Sequence, residues 1–227
     1  MQHPVMIFAA GFGTRMKHLT KDRPKPMIEV AGRPLIDHAI DLARDLPATE
    51  VVANLHYKAN VLQRHLMGTG VKTILESPDI LDTGGGLRNA LPDLQAGTTM
   101  TLNSDAIWKG PNPLKVLQTA WQPDKMDALL MSVPLARAVG YEGSGNFLRA
   151  ADGTVTRGDG LVYGGAQITK TDLLHDIDEM SFSLNRIWDL MIARKRLYTI
   201  EYEGFWCDVG HPDGIALAEN LLGSGDV

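Results

Sequence analysis

Residues 5–16 read Val-Met-Ile-Phe-Ala-Ala-Gly-Phe-Gly-Thr-Arg-Met, a short apolar run that passes directly into small residues and glycines. The apolar part is typical of a buried strand, and the glycines after it allow another group to approach the main chain closely. Main-chain N–H groups of such a loop can face an anion, and the planar positive charge of Arg15 suits phosphate oxygens. A tight strand-to-helix turn explains a lone Gly-x-Gly equally well. The neighbouring sequence has to decide between these two interpretations.

Apolar, β-rich runs alternate with helical patterns along the first two thirds of the chain. Strands are predicted at 5–10, 50–55, 71–75, 98–103 and 128–134, and helices at 34–46, 57–67 and 112–121. This alternation predicts an α/β fold with a doubly wound, mainly parallel, Rossmann-like sheet, which binds ligands at the carboxyl ends of its strands. Glycine-broken segments at 143–168 predict a small antiparallel substrate-binding insertion. Ser183 is a candidate N-cap for the next helix, followed by a strand at 197–202 and a helix at 212–222.

Length and composition limit the possible classes of protein. The 227 residues predict a single domain, 1–227, and the net charge of -5 without any Lys/Arg run argues against a nucleic-acid surface. The only cysteine, Cys207, cannot form an internal disulfide. The apolar run at 5–10 is too short to span a membrane and lacks the charged segment of a signal peptide. We therefore expect a cytoplasmic protein with small-molecule partners and no membrane partner, and a homo-oligomer stays open.

Two familiar phosphate-binding motifs can be tested against the loop, and both fail. The dinucleotide fingerprint requires a small residue where Met16 stands, and the Walker pattern requires Gly-Lys-Ser/Thr at the end of the loop. Downstream, however, Pro24-Lys25-Pro26 holds one lysine between two prolines, which restrict the backbone. A positioned charge at Lys25 together with Arg15 and the glycine loop favours a triphosphate site over a plain turn.

Two aspartates far apart in the sequence are candidate metal ligands. Asp105 comes two residues after the predicted strand 98–103, at the edge where ligands bind in such sheets, although an Asp in this position can also simply start a turn. Asp208 stands in the apolar run Phe205-Trp206-Cys207, where an ionised side chain needs a salt bridge or a cation. Mg²⁺ is commonly held by one or two carboxylates plus substrate phosphates. Asp105 and Asp208 fit that requirement.

These motifs, in this order, resemble the sugar-phosphate nucleotidyltransferase family, over nearly the whole chain. The matching segments are AAGFGTRM at 9–16, LT at 19–20, RPKPM at 23–27, VAGRPLI at 30–36, TGGG at 83–86, NSD at 103–105 and WCDVG at 206–210, with Asn54 and His56 between them. The triple glycine and the short chain are most similar to the branch that uses UTP and N-acetylmuramate 1-phosphate in cell-wall sugar recycling. The resemblance implies no second catalytic domain.

The resemblance also implies roles for individual residues. Catalysis falls to Arg15, Lys25, Asp105 and Asp208, and the two aspartates are the Mg²⁺ ligands. Nucleotide contacts are expected from Ala9, Ala10, Gly11, Gly13, Thr14, Gly85 and Asn103. Sugar contacts are expected from Asn54, His56, Gly145, Asn146 and Gly165, although His56 satisfies a loop carbonyl equally well. Where the family commonly has lysine, proline, glycine and glutamate, this chain has Phe12, His18, Ser104 and Asp82.

The implied reaction joins a nucleoside triphosphate and a sugar 1-phosphate into a nucleotide-sugar and pyrophosphate. Mannose- and glucose-1-phosphate nucleotidyltransferases are an alternative, because they share the charged residues. A nicotinamide-dependent oxidoreductase is disfavoured by Met16 and Lys25, and by Glu29, which does not end a second strand. A non-catalytic nucleotide sensor is disfavoured by the presence of all four candidate catalytic residues.

Overall fold

The computed structural model describes residues 2–47 and 50–225. Its strands are β1 (Val5–Phe8), β2 (Glu29–Val30), β3 (Arg33–Pro34), β4 (Val51–Leu55), β5 (Lys72–Leu75), β6 (Thr98–Asn103), β7 (Ala106–Lys109), β8 (Ala128–Val133), β9 (Ala138–Val139), β10 (Phe147–Arg149), β11 (Val155–Arg157), β12 (Val162–Lys170), β13 (Leu197–Glu201) and β14 (Phe205–Asp208). Its α-helices are α1 (Leu35–Arg44), α2 (Ala59–Leu66), α3 (Asp82–Leu94), α4 (Pro113–Ala120), α5 (Asn185–Ala193) and α6 (Asp213–Gly223). No helix within these residues is long and apolar enough to cross a membrane.

The central sheet has seven strands in the order β13-β8-β12-β6-β1-β4-β5. The pairs β1–β4, β1–β6, β4–β5 and β8–β13 are parallel, whereas β12 runs antiparallel to both of its neighbours. Helices cover both faces of this sheet. Alternate residues of one strand point in opposite directions, so a single strand contributes side chains to the core on each face. Val5 and Ile7 of β1 pack in a core with α1, α2 and α4, and Met6 packs in a second core with α3 and α5. The prediction of an α/β fold with a mainly parallel, doubly wound sheet is confirmed.

The antiparallel region differs from its prediction in one respect. Of the predicted insertion at 143–168, β10 and β11 form a separate hairpin. The strand β12, however, belongs to the central sheet, where it pairs with β6 and β8. Ala166 and Ile168 of this strand are fully buried in the sheet. A bulge between Tyr163 and Gln167 interrupts the pairing with β8. Gly164 and Gly165 lie in this bulge, which explains why the sequence there predicted the end of a strand.

The start of α5 also differs from its prediction. The helix begins at Asn185, and Leu184 is its N-cap without a side-chain hydrogen bond. Ser183 lies one residue further out, where its Oγ accepts a hydrogen bond from the main-chain N–H of Asn185 at 3.3 Å. Ser183 therefore stabilises the turn before the helix and is not its N-cap.

A second, three-stranded sheet brings distant parts of the chain together. Strand β14 pairs antiparallel with β7 and parallel with β9. In this register Asp208 lies opposite Ala106, and the main-chain N–H of Val209 donates to the carbonyl of Asp105 at 3.0 Å. The two candidate metal ligands, Asp105 and Asp208, are thus held next to each other by main-chain pairing.

Candidate active site

A cavity of about 310 Å³ opens where β1, β4 and β6 end, at the carboxyl edge of the central sheet. We call it the first cavity. This is the edge at which open α/β sheets bind ligands. It is lined by Phe8, Ala9, Ala10, Gly11, Gly13, Thr14, Arg15, Lys25, Pro26, Asn54, Glu76, Ile80, Asp82, Thr83, Asn103, Ser104, Asp105 and Gly210. The glycine loop, the lysine between prolines and Asp105 therefore meet at one site, although they are far apart in the sequence.

The glycine loop owes its shape to close packing on Lys25. Gly13 has a φ of 64°, in the left-handed region, and a Cβ there would lie 2.8 Å from Cβ of Lys25. Only glycine fits both constraints without a rearrangement. At the start of the loop, the main-chain N–H of Ala9 donates to Oδ1 of Asn54 at 2.8 Å. Ala9 lines the cavity, but its N–H is already used and is not available to an anion.

Lys25 is the most deeply placed cation of the site. The residue is 8% exposed, and its Nζ donates to Oδ2 of Asp105 at 2.7 Å. An ammonium group has three donors, and this is the one hydrogen bond that Lys25 Nζ makes within the described residues. Because the side chain also lines the first cavity, its remaining donors can serve a bound anion.

Asp208 lies on β14 of the second sheet and forms, with Arg15, Lys25 and Asp105, the charged cluster of the site. Burial raises the pKa of its carboxyl, and the charge of Asp105 raises it further, while Lys25, Arg15 and His211 oppose the shift. A Cβ on Gly210 would lie 2.9 Å from Oδ2 of Asp208 and 3.1 Å from Nη1 of Arg15. Glycine at 210 therefore leaves room for the guanidinium of Arg15 beside the carboxylate.

The donor set of Asp105 and Asp208 fits a hard divalent cation. Two half-buried carboxylates repel each other, and a cation between them would remove that repulsion. No group of three or more His, Cys, Asp or Glu side chains that could hold a metal occurs in residues 2–47 and 50–225. Mg²⁺ does not require such a group, since one or two carboxylates plus substrate phosphates suffice.

Sequence reasoning missed Glu76, a buried carboxylate in the lining of the first cavity. Glu76 is 1% exposed; its Oε1 accepts from Nδ2 of Asn54 at 2.6 Å and its Oε2 from the main-chain N–H of Leu81 at 2.8 Å. The available signal was its position directly after β5, at the same edge of the sheet as Asn54. The amide of Asn54 therefore links Ala9, the residue after β1, to Glu76. Asn54 is thus a positioning residue of the cavity.

The triple glycine does not present its main chain to the first cavity. The main-chain N–H groups of Gly84 and Gly85 both donate to the carbonyl of Phe182, at 2.8 and 3.0 Å. A Cβ on Gly85 would lie 2.4 Å from the carbonyl oxygen of Met180, and one on Gly86 would lie 2.6 Å from Oε1 of Glu76. The glycines thus admit the 180–182 segment and Glu76. Gly85, expected to contact the nucleotide, is outside the lining of the cavity.

Several residues expected to contact the sugar also lie elsewhere. The Nδ1 of His56 is 2.9 Å from the carbonyl of Glu76, and its ring meets Phe12 edge-on at 5.4 Å, so the loop-carbonyl alternative describes its position. A Cβ on Gly145 would lie 2.5 Å from the backbone of Gly160, and one on Gly165 would lie 2.8 Å from Asn103. Neither glycine is among the residues that line the first cavity, because close packing takes up the space around both.

A second cavity of about 260 Å³ adjoins the first and shares Asp82, Thr83 and Asn103 with it. Its other lining residues are Asn146, Phe147, Arg157, Tyr163, Ser183, Leu184, Asn185 and Trp188. Asn146, expected to contact the sugar, is among them, and its Oδ1 accepts from the main-chain N–H of Tyr163 at 2.9 Å. Sequence reasoning missed Arg157, Tyr163 and Trp188, which carry no motif and come from separate elements.

Cys207 stands beside Asp208 without being part of the site. Its side chain is fully buried, and burial followed by the charge of Asp208 raises the pKa of the thiol to about 11. A thiol that stays protonated at neutral pH is a poor nucleophile. Cys207 is therefore a packing residue.

Comparison with known proteins agrees with this fold. The family model of the MobA-like NTP transferase domain matches residues 5–155, and the chain belongs to this family. Fold and family together define a nucleotidyltransferase.

More specifically, the chain is similar to two curated N-acetylmuramate alpha-1-phosphate uridylyltransferases. The protein of Caulobacter vibrioides is 35% identical, with 96% of each chain covered. That of Neisseria meningitidis is 27% identical, with 96% of this chain and 98% of the relative covered. Among solved structures, HddC from Yersinia pseudotuberculosis in complex with GMP-PN has a TM-score of 0.76 at 21% identity, covering 97% of this chain and 100% of that one, which supports the fold.

Proposed function

We propose that this nucleotidyltransferase transfers the uridylyl group of UTP to N-acetylmuramate 1-phosphate, giving a nucleotide-sugar and pyrophosphate. The observation that carries the proposal is that Arg15, Lys25 and Asp105 line the cavity behind the glycine loop, with Asp208 close enough to interact with the charges of all three. The choice of base and sugar rests on similarity to uridylyltransferases along nearly their whole length. A mannose-1-phosphate guanylyltransferase of Dictyostelium discoideum is also similar, at 28% identity, but the chain covers 65% of it.

The reaction needs no general base from the protein. A phosphomonoester has a second pKa of about 6, so the attacking oxygen of a sugar 1-phosphate is largely ionised at neutral pH. The obstacle is repulsion between two anions that must approach in line. The protein therefore has to supply positive charge and alignment, which is what the buried Lys25 and the arginine of the glycine loop provide.

Individual residues take the following roles in the proposal. Lys25 neutralises the reacting phosphates with the donors that Asp105 leaves free. Arg15, at the exposed end of the loop beside Gly210, holds the departing pyrophosphate. The main-chain N–H groups around Gly11 and Gly13 face the phosphates of the nucleotide. Further nucleotide contacts in the proposal come from Ala10, Thr14 and Asn103.

Asp105 and Asp208 would hold Mg²⁺. When bound, the ion supplies positive charge that stabilises the negative charge developing on the phosphate oxygens. The pairing of β7 with β14 keeps both carboxylates in place before any ligand arrives, so little reorganisation is needed. Residues 1–227 act as a single catalytic domain in this proposal, and we assign it to the cytoplasm, where nucleoside triphosphates are available.

The proposal is tested by measuring pyrophosphate release from the purified protein with Mg²⁺. UTP, GTP, CTP and dTTP are each combined with the 1-phosphates of N-acetylmuramate, N-acetylglucosamine, mannose and glucose. We expect the highest kcat/KM for UTP with N-acetylmuramate 1-phosphate, and loss of activity when the metal is chelated. Pyrophosphate from GTP and mannose 1-phosphate alone would assign the alternative specificity, and no pyrophosphate from any pair would refute a transferase.

A further inference from the structure

The second cavity is placed to receive the part of the acceptor that lies beyond its phosphate. It shares Asp82, Thr83 and Asn103 with the first cavity, so the two are continuous. A sugar 1-phosphate whose phosphate reaches the Lys25–Asp105 pair on one side of Asn103 would extend its ring toward the other. The chemistry of the second cavity should then match the substituents of that ring.

The second cavity combines aromatic walls with one positive charge. The rings of Phe147, Tyr163 and Trp188 pack edge to face, with Trp188 at 5.9 Å from Phe147 and 4.8 Å from Tyr163. Among the lining residues in the described part of the chain, Arg157 alone is cationic. Its guanidinium carbon lies 4.9 Å from the ring centre of Phe147 and 5.7 Å from that of Trp188. Stacking on these faces orients the planar group and leaves its edges for hydrogen bonds.

One edge of the guanidinium already has partners on the protein. Nε and Nη2 of Arg157 donate to Oδ1 of Asp189 at 3.0 and 2.8 Å, and Nη2 also donates to the carbonyl of Asn185 at 3.3 Å. Within residues 2–47 and 50–225, Nη1 makes no hydrogen bond, so its two N–H donors are available. The side chain of Asp189 is 60% exposed, against 39% for Arg157, and solvent weakens the pair.

We propose that Arg157 binds a carboxylate on the acceptor sugar and so selects a sugar acid ether over the same amino sugar with a free hydroxyl. The inference rests on the proposed function, because the lactyl ether of N-acetylmuramate carries such a carboxylate and N-acetylglucosamine does not. An arginine donor to a carboxylate makes a charge-assisted hydrogen bond, which a neutral hydroxyl cannot match. Arg157 is thereby a specificity-determining residue of the acceptor site.

The test compares Arg157→Gln with the unchanged protein, using UTP and each of the 1-phosphates of N-acetylmuramate and N-acetylglucosamine. We expect kcat/KM for N-acetylmuramate 1-phosphate to fall about 10- to 100-fold, mainly through KM, because one charge-assisted interaction is lost. For N-acetylglucosamine 1-phosphate it should change less than about threefold. Equal losses for both sugars, or no loss for either, would overturn the inference.

Two further variants separate recognition from folding. Arg149→Gln is the matched control, since Arg149 lies on the same hairpin, faces Glu201 at 4.0 Å and lines neither cavity; both sugars should react as with the unchanged protein. Asp189→Asn removes the protein carboxylate that competes for Arg157, so KM for N-acetylmuramate 1-phosphate should not rise. A rise like that of Arg157→Gln would show that the ion pair only maintains the fold, and would overturn the inference.

Failure of the proposed function can be distinguished from failure of this inference. Calorimetric titration with each sugar 1-phosphate measures binding without turnover. If the unchanged protein makes no pyrophosphate yet binds N-acetylmuramate 1-phosphate more tightly than Arg157→Gln does, the carboxylate site stands and the transferase does not. Equal binding by the two proteins would overturn the site itself.

Discussion

Replacing Asp208 by Asn should separate catalysis from stability. The change keeps the shape of the side chain and removes a buried negative charge that Asp105 repels. We expect kcat to fall by about 10²–10³-fold, the cost of removing one group that stabilises charge in a transition state. Because burial and Asp105 raise the pKa of Asp208, the ionised carboxylate is less stable in the folded protein than in the unfolded chain. The ligand-free variant should therefore unfold at the same temperature as the unchanged protein or higher.

The assay is pyrophosphate release at saturating Mg²⁺, UTP and acceptor, beside thermal unfolding without metal. For a chain of this size a stability change of 1 kcal/mol moves the melting temperature by about 2–4 °C, so a gain or a loss of that order is measurable. Asp213→Asn is the control, because Asp213 is an exposed carboxylate at the start of α6. It should retain turnover within about twofold. Full turnover in Asp208→Asn, or a clear drop in its melting temperature, would refute the reasoning.

Two changes away from the charged cluster test the packing and the pH dependence of the fold. Gly86→Ala places a Cβ 2.6 Å from the buried carboxylate of Glu76, and we expect a loss of about 2 kcal/mol in urea unfolding. Gly97→Ala, where a Cβ meets nothing within 4 Å, should stay within about 0.5 kcal/mol, and equal effects would contradict the packing argument. Burial alone would raise the pKa of Asp127, but hydrogen bonds from Arg196 and Lys170 hold this pKa below its usual value. The ion pair of Asp127 therefore stabilises the fold above the pKa that this carboxyl has in the unfolded chain, and the stabilisation is lost as the pH falls through its pKa in the folded protein. Asp127→Asn should cost about 1–3 kcal/mol of unfolding free energy at pH 7 and less at pH 3. A cost independent of pH would count against the ion pair.

Local sequence patterns predicted most of the fold because helices and buried strands have short periods. The apolar stripe of α1, with Ile36 and Ala39 on one side, repeats at helical spacing, and β1 is a plain apolar run. The position of β12 could not be predicted in this way. Whether a strand joins the main sheet or a hairpin depends on which partner offers a free edge, and that partner, β6, ends almost 60 residues earlier.

For the candidate site, the sequence by itself determined the chemical groups: a glycine loop, Arg15, Lys25 and two aspartates in an order typical of nucleotidyltransferases. The reason is that each sits in a motif whose local backbone or apolar surroundings constrain it. Only the tertiary structure decided which groups share a cavity. In the tertiary structure the triple glycine packs against residues 180–182, Glu76 lines the first cavity and Arg157 lines the second. The sequence could not predict these contacts, because they join elements whose separation along the chain follows no local pattern.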